Sequence, residues 1–176
     1  MLTKITIAQS VQEQRVPASE KAIPVVVLKA FKLSYPDALI KGWYITHITY
    51  WYNDMSSGWY SDWYGQRTII VYVYEKPNYF EVEFIDQPGE LSRAIFNKYG
   101  YWYETRTRLK GLPQIILESL KQTKYADWKR SVLVEKIESA EWPETIYRFR
   151  VSKGMKSILI RMNIKGEIIQ EKKTSE

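Results

Sequence analysis

The chain has 176 residues, of which 45% are hydrophobic and 26% charged, a balance typical of one globular domain or two small ones. It contains no cysteine, which excludes disulfides, thiolate nucleophiles and cysteine-ligated metals. It also lacks any run of about 18 apolar residues, so we predict no transmembrane segment. The net charge of +6 is spread, with +2 on residues 1–110 and +4 on residues 111–176, and no basic block precedes Lys172-Lys173. We therefore expect no nucleic-acid partner.

The N-terminal segment, residues 1–15, is predicted to be a disordered tail or the remnant of a signal peptide. Its apolar stretch, residues 2–8, is too short and too polar for the hydrophobic region of a complete signal. These residues are left out of the fold prediction.

A first amphipathic helix is predicted over residues 23–35. Pro24 suits the start of a helix, where a missing N–H is tolerated, and the Tyr35-Pro36 pair ends it. Apolar residues at helical spacing define the side that we expect to be buried. They are Val27, Leu28 and Phe31.

Residues 43–75 are predicted to form a long aromatic hairpin, with strands over 43–52 and 67–75 and a tip near 53–58. Turn-forming Asn, Asp, Ser and Gly separate its rings. The rings either fold back onto the sheet or form an exposed patch, and the sequence leaves both open. An exposed patch would suit a protein, a sugar or a second copy of the chain. The candidate binding aromatics are Trp51, Tyr52, Trp59, Tyr60, Trp63 and Tyr64.

The rest of the chain repeats a pattern of one helix followed by strands. A second Pro-led helix over 112–125 follows the first at an offset of 89, whereas the strands recur at an offset of 66 or 67. The first copy therefore holds about 22 extra residues, which lie in the hairpin. The recurring strands are 79–84, 94–100 and 101–106 in the first copy and 146–151, 160–166 and 167–172 in the second.

These elements predict an α+β fold of two tandem repeats, each a helix on a four-stranded antiparallel sheet. The first repeat spans residues 17–110 and carries the inserted hairpin, and the second spans residues 111–173.

Four short motifs in this order carry a resemblance to a known family. They are the Pro-led helix that ends in Tyr-Pro, then Tyr-Phe-Glu-Val-Glu-Phe, then Phe-Asn-x-x-Gly-x-Trp-x-Glu-Thr, then Leu-Pro before the second helix. The chain resembles the PepSY-like proteins of bacterial envelopes, which are similar in fold to β-lactamase-inhibitor proteins. The resemblance covers about residues 17–173. It implies two helix-on-sheet repeats, no catalytic residues, a periplasmic or cell-surface location, and binding or inhibition of another protein. The aromatic insertion departs from the family pattern.

The sequence offers little for catalysis. His47 is the only histidine, which leaves no histidine-based metal cluster, and it is expected to be structural. Asp54 and Asp62 flank the hairpin tip and are interpreted as turn residues rather than as an acid–base pair. We predict that the protein is not an enzyme and needs no cofactor or metal.

Charged residues alternate with the apolar ones on two corresponding strands. Glu81 and Glu83 in the first copy correspond to Arg148 and Arg150 in the second, on the face opposite Phe80 and Phe149. These charges either pair with neighbouring strands or form a patterned binding surface.

We predict a non-catalytic envelope protein that binds a protein or peptide, as an inhibitor does, through this sheet face and the aromatic hairpin. A carbohydrate-binding module is the alternative.

Overall fold

Nine β-strands of the described residues form one antiparallel sheet, and two helices pack against it. The computed structural model describes residues 14–47, 78–87, 89–140 and 142–173. The helices are α1 (Val25–Ser34) and α2 (Gln114–Lys121), and a 3-10 turn spans Glu20–Ala22. The strands are β1 (Gln14–Ala18), β2 (Leu39–His47), β3 (Asn78–Ile85), β4 (Leu91–Phe96), β5 (Trp102–Leu109), β6 (Lys129–Ser139), β7 (Trp142–Lys153), β8 (Lys156–Asn163) and β9 (Ile168–Lys173).

The predicted fold class is wrong, because the sheet is single and continuous. Its strands lie in chain order from β1 to β9, and β5 pairs with β6 from Glu104↔Ser139 to Leu109↔Val134. Two separate four-stranded sheets are thereby excluded, and the fold is mostly β with two short helices. Period-two alternation predicts that a strand exists, but it does not show which strand lies beside it.

The first hydrophobic core lies between α1 and strands β2–β4. Val27 and Phe31 sit on one side of α1, four residues apart, and both are buried. The ring of Phe31 meets those of Trp43, Phe84 and Phe96 edge-on, with centroids 5.1–6.5 Å apart. Edge-on packing brings the positive edge of one ring to the negative face of another, which favours this arrangement.

The second core lies between α2 and strands β6–β8. Ile116 and Leu120, again four residues apart on the helix, are buried against alternating residues of the strands. Phe149 of β7 lies opposite Val134 of β6 and Ile160 of β8, so all three face the helix. Both helices therefore cover the same face of the sheet.

The predicted aromatic hairpin lies mostly outside the described residues. Residues 43–47 belong to β2, whose last residue, His47, pairs with Asn78 at the start of β3. Residues 48–77, and with them the six candidate aromatics, Asp54 and Asp62, are outside the described part of the chain. Of the predicted N-terminal tail, residues 1–13 are outside it too, and β1 begins at Gln14.

Because the strands run alternately up and down in chain order, the sheet has two distinct ends. We call the end at His47 and Asn78 the insertion end, and the turns β4–β5, β6–β7 and β8–β9 lie there too. The other end carries the turns β3–β4 and β7–β8 and the start of β6. In the part of the chain that the structure describes, no helix is long and apolar enough to cross a membrane.

Candidate functional site

The sheet face opposite α1 and α2 carries a network of charged side chains. We call it the helix-free face. Cross-strand register assembles it, since residues directly opposite one another in an antiparallel pair point to the same side. One row runs Arg108, Glu135, Arg148, Arg161 and Gln170 across β5–β9, and a second runs Glu83, Arg93, Arg106, Ile137 and Ile146 across β3–β7.

Glu81 is held by a two-point ion pair with Arg93. The Arg93 Nε donates to Glu81 Oε1 at 2.7 Å, and its Nη2 donates to Oε2 at 3.1 Å. The glutamate side chain is fully buried, whereas that of Arg93 is 37% exposed. A buried carboxylate is costly unless it is paired and hydrogen-bonded, and the planar guanidinium meets both requirements.

Arg148 is held in the same way by Glu135 on the neighbouring strand. Its Nε donates to Glu135 Oε2 at 2.7 Å, and its Nη2 donates to the same oxygen. Arg161, directly opposite Arg148, donates from Nη1 to the Gln170 side-chain oxygen. Two arginines that face each other repel. The acceptors on either side, Glu135 and Gln170, offset this repulsion and allow Arg148 and Arg161 to lie side by side in the sheet.

Glu104 and Arg106 form a buried ion pair at the centre of the face. Arg106 Nε donates to Glu104 Oε1, while no donor among the described residues reaches Glu104 Oε2. Burial raises the pKa of the Glu104 carboxyl, and the nearby positive charges of Arg106, Arg148 and Arg161 lower it by less. The network thus contains a carboxyl group that binds a proton more readily than it would in water.

The charge contrast predicted between the two halves is largely cancelled locally. Glu81 is neutralised by Arg93, and Arg148 by Glu135, as the pairing interpretation expects. Glu83 is half-buried, with Arg93 directly opposite it, and Arg150 is exposed. Strands β3 and β7 are four strands apart, about 19 Å at the usual spacing, so the two predicted charge pairs share a face without touching.

Aromatic side chains gather at the insertion end of the helix-free face. Tyr79 packs against Ile95 and Tyr103, with the two tyrosine rings 5.5 Å apart. The ring of Tyr101 lies 5.0 Å from that of Tyr103 and is 46% exposed, and Tyr99, in the turn before β5, is 72% exposed. The predicted site residues do not include this cluster, although Tyr99, Tyr101 and Tyr103 recur at a spacing of two residues, which is a signal visible in the sequence.

The turn that presents these rings is built by Asn97. Its side-chain Oδ1 accepts from the backbone N–H of Tyr99 at 2.9 Å and of Tyr101 at 3.0 Å. Gly100 completes the turn with a φ of +81°, in the left-handed region that glycine tolerates best. The exposed rings are therefore fixed by a defined backbone, as binding residues need to be.

The described residues contain no group of three or more His, Cys, Asp or Glu side chains placed to hold a metal ion. The arrangement instead offers shaped aromatic area beside a hydrogen-bonded ionic surface. Exposed aromatic area of this kind is enriched at recognition surfaces.

The chain belongs to the PepSY-like family, described as "Putative beta-lactamase-inhibitor-like, PepSY-like", whose model matches residues 78–170, more than half of its length. This confirms the resemblance drawn from the sequence. No curated protein matches the chain.

Several solved structures share the fold. A BLIP-like protein from Bacteroides fragilis is 20% identical, with a TM-score of 0.61 and 88% of each chain covered. A DUF2874 family protein from Bacteroides ovatus is 18% identical, with a TM-score of 0.57 over 86% of this chain and 87% of that one. A structure from Bacteroides eggerthii described as "putative periplasmic proteins" is 19% identical, with a TM-score of 0.55 over 86% and 88%.

Proposed function

We propose that this chain is a non-catalytic envelope protein that binds a protein or peptide partner, in the manner of an inhibitor. The observation that carries the proposal is the exposed Tyr101, packed on Tyr103 at the insertion end of the helix-free face, with the exposed Tyr99 in the turn before it. Tyrosine gives a large, rigid contact area at low entropic cost, and it is enriched at interface hot spots. The family description, β-lactamase-inhibitor-like, supports a protein as the partner.

The proposed contact surface extends from these tyrosines to the charged residues Glu81, Glu83, Arg148 and Arg150. It also includes the aromatic residues of the insertion, Trp51, Tyr52, Trp59, Tyr60, Trp63 and Tyr64. The insertion leaves the sheet between His47 and Asn78, at the same end as Tyr99 and Tyr101, which supports one shared surface.

The location we propose is the periplasm or the cell surface. It is supported by the family membership and by the description of the Bacteroides eggerthii structure as periplasmic. Fractionation of the producing cells, with the chain detected by antibody, tests it. Recovery in the cytoplasm alone would contradict the location without bearing on partner binding.

The test of binding is a capture experiment on envelope extract with three matched baits. The intact chain is compared with Tyr99→Ala/Tyr101→Ala and with a chain whose residues 53–64 are replaced by a short Gly-Ser turn. Leu33→Ala/Val25→Ala, which removes exposed aliphatic side chains from α1, is the control. We expect one identified protein to bind the intact chain and the control, and to bind the tyrosine variant at least ten times more weakly.

Capture that is equal for the intact chain and the tyrosine variant would remove the tyrosines from the site. Failure of every bait to retain a protein, together with a glycan-array signal that the same substitutions abolish, would establish the carbohydrate alternative. Thermal unfolding of each bait checks that the variants are folded.

A further inference from the structure

One corner of the sheet, at the end opposite the insertion, gathers positive charge that is scattered in the sequence. The chain-order topology brings the ends of β5, β7 and β9 beside the starts of β6 and β8. Nine cationic side chains of the described residues lie there, and we call this region the basic corner. They are Arg108, Lys110, Lys129, Arg130, Arg150, Lys153, Lys156, Lys172 and Lys173.

Few carboxylates offset this charge among the described residues. Asp127 forms an ion pair with Lys153, and Glu171 forms one with Lys124 on the loop after α2. Glu135, one step further into the sheet, is held by Arg148. Lys129, Arg130, Arg150 and Lys156 are all exposed, so the corner presents a net positive surface to solvent.

The same corner exposes three large aliphatic side chains. Met155 is 96% exposed at the tip of the β7–β8 turn, Val132 is 92% exposed, and Leu133 is 48% exposed. Exposed apolar residues that stand singly need no explanation, but three of them at the same corner of the sheet as exposed cations form an amphipathic surface.

The exposed position of Val132 follows from the backbone of β6. Between the pairs Arg130↔Val151 and Val134↔Phe149, three residues of β6 lie opposite the single residue Arg150, which makes a bulge. Ser131 closes the bulge, because its hydroxyl donates to the Leu133 carbonyl at 2.8 Å and accepts from the Arg150 N–H at 3.2 Å. Bulges commonly redirect a side chain, and here the redirected residue is Val132.

We propose that the basic corner docks on a lipid bilayer that carries anionic headgroups. Lysine and arginine side chains would lie at the phosphate level, while Met155 and Val132 would enter the boundary between headgroups and acyl chains. Apolar insertion and electrostatic attraction to anionic lipid together give reversible attachment without any membrane-spanning segment.

The side chains at the corner favour a bilayer over a nucleic acid. Single-stranded nucleic acid is bound by aromatic rings on which the bases stack, whereas the large exposed side chains of the corner are aliphatic. Six of the nine cations are lysines, which act as point charges rather than as the planar forks that arginine offers to bases.

Attachment at this corner leaves the tyrosines of the proposed partner site free. Tyr99 and Tyr101 lie at the insertion end, and β7 with its 12 residues separates the two ends by about 40 Å at the usual rise per residue. Arg150 belongs to both proposed surfaces, but the docking inference does not depend on partner binding, since Met155, Val132 and the other eight cations carry it.

Cosedimentation with vesicles tests the inference. We expect the full chain to bind vesicles of phosphatidylcholine with 30 mol% phosphatidylglycerol and to remain free with phosphatidylcholine alone. Reversal of two corner charges, Lys129→Glu/Lys156→Glu, should lower the partition coefficient at least tenfold, since each cation near an anionic surface contributes about fivefold. The control Lys29→Glu/Lys32→Glu makes the same charge change on exposed positions of α1 and should lower it less than threefold.

A second measurement reports insertion directly. The chain has no cysteine, so Met155→Cys allows one environment-sensitive fluorophore at the turn, and Leu33→Cys, 86% exposed on α1, serves as the reference position. A blue shift with anionic vesicles at position 155 and none at position 33 is the expected result. Equal shifts at both positions, or none at either, would overturn the docking geometry.

Two further outcomes would overturn the proposal. Equal binding to neutral and anionic vesicles would remove the electrostatic basis. Binding that heparin in solution abolishes, and that Met155→Ser/Val132→Ser leaves unchanged, would make the corner a site for soluble polyanions. Circular dichroism of each variant before the assay confirms that it is folded, which the exposure of the substituted side chains favours.

Discussion

Glu104 shows how strongly the surroundings of one side chain decide its chemistry. It lies in a strand within reach of three arginines, yet burial outweighs their attraction and raises the pKa of its carboxyl. A group whose pKa is higher in the folded state binds protons more readily when folded. Its contribution to stability is therefore largest at low pH and declines as the pH rises from about 4.5, its ordinary value, through the raised pKa.

This gives a prediction for Glu104→Gln, which removes the titrating group. The unfolding free energy of the parent chain minus that of the variant should fall as the pH is raised from 4 to 8. Urea denaturation at five or six pH values measures the difference. Glu118→Gln, at an exposed position of α2, supplies the reference for loss of one carboxyl. A difference that rises with pH would mean that the arginines, and not burial, control this carboxyl.

Phe31 is the residue on which the first core depends most clearly. Its side chain is 1% exposed and contacts four aromatic rings. Phe31→Ala should cost about 3–5 kcal/mol, because it removes buried apolar area and leaves a cavity. Leu33→Ala on the same helix, at an 86% exposed position, should change stability by about 0.5 kcal/mol or less. Comparable losses for both variants, measured by chemical denaturation, would mean that α1 does not pack as described.

At the scale of elements, the turn between β8 and β9 depends on a glycine for two reasons. Gly166 has a φ of +82°, and a Cβ placed there would lie 1.9 Å from the Ser119 hydroxyl and 2.6 Å from the Ser119 Cβ. The hydroxyl can rotate away, but the Cβ is fixed to α2. The turn and the helix are thus in direct contact, and space as well as conformation restricts this position to glycine.

Gly166→Ala can be compared with Gly89→Ala, since Gly89 has nearly the same φ, +80°, and no atom within 4 Å of the added Cβ. Gly89→Ala should cost about 1–2 kcal/mol from the left-handed conformation alone. Gly166→Ala should cost a further 1–3 kcal/mol or so, because α2 must shift to make room. Thermal unfolding of the two variants measures the difference, and equal losses would mean that α2 moves without cost.

The elements that could be predicted from the sequence are those with a regular period. The helices and the strand at residues 79–84 have clean apolar spacing, and the structure has α1, α2 and β3 at those places. Strand β6 could not be predicted, because its bulge breaks the alternation and leaves Val132 and Leu133 exposed. For the ionic network, the alternation of charged and apolar residues along each strand predicts that Glu81 and Arg148 lie on the same face of the sheet. Their partners, Arg93 and Glu135, follow only from register, which the sequence does not give.

At the scale of the whole molecule, the continuous sheet joins the two cores. Six residue pairs between β5 and β6 link the strands beneath α1 to those beneath α2. We therefore expect one cooperative unfolding transition, with coincident curves from fluorescence and far-UV circular dichroism. Phe149→Ala, a buried change in the second core, should lower the single midpoint as Phe31→Ala does in the first. Two resolved transitions, each shifted by only one of the variants, would show that the halves unfold independently.

The chain-order topology also bears on how the protein folds. Each strand pairs only with its neighbours in sequence, so most pairings close short loops and lose little chain entropy. Pairing of β1 with β2 and of β5 with β6 encloses α1 and α2, and the longest loop lies between β2 and β3, whose paired ends His47 and Asn78 are separated by 30 residues. Closing that loop costs about 2 kcal/mol more than closing a three-residue turn. Strands β3–β5 and strands β6–β9 can therefore assemble as two sets of successive hairpins, and the pairings across α1, α2 and the insertion are expected to form later, because each closes a longer loop.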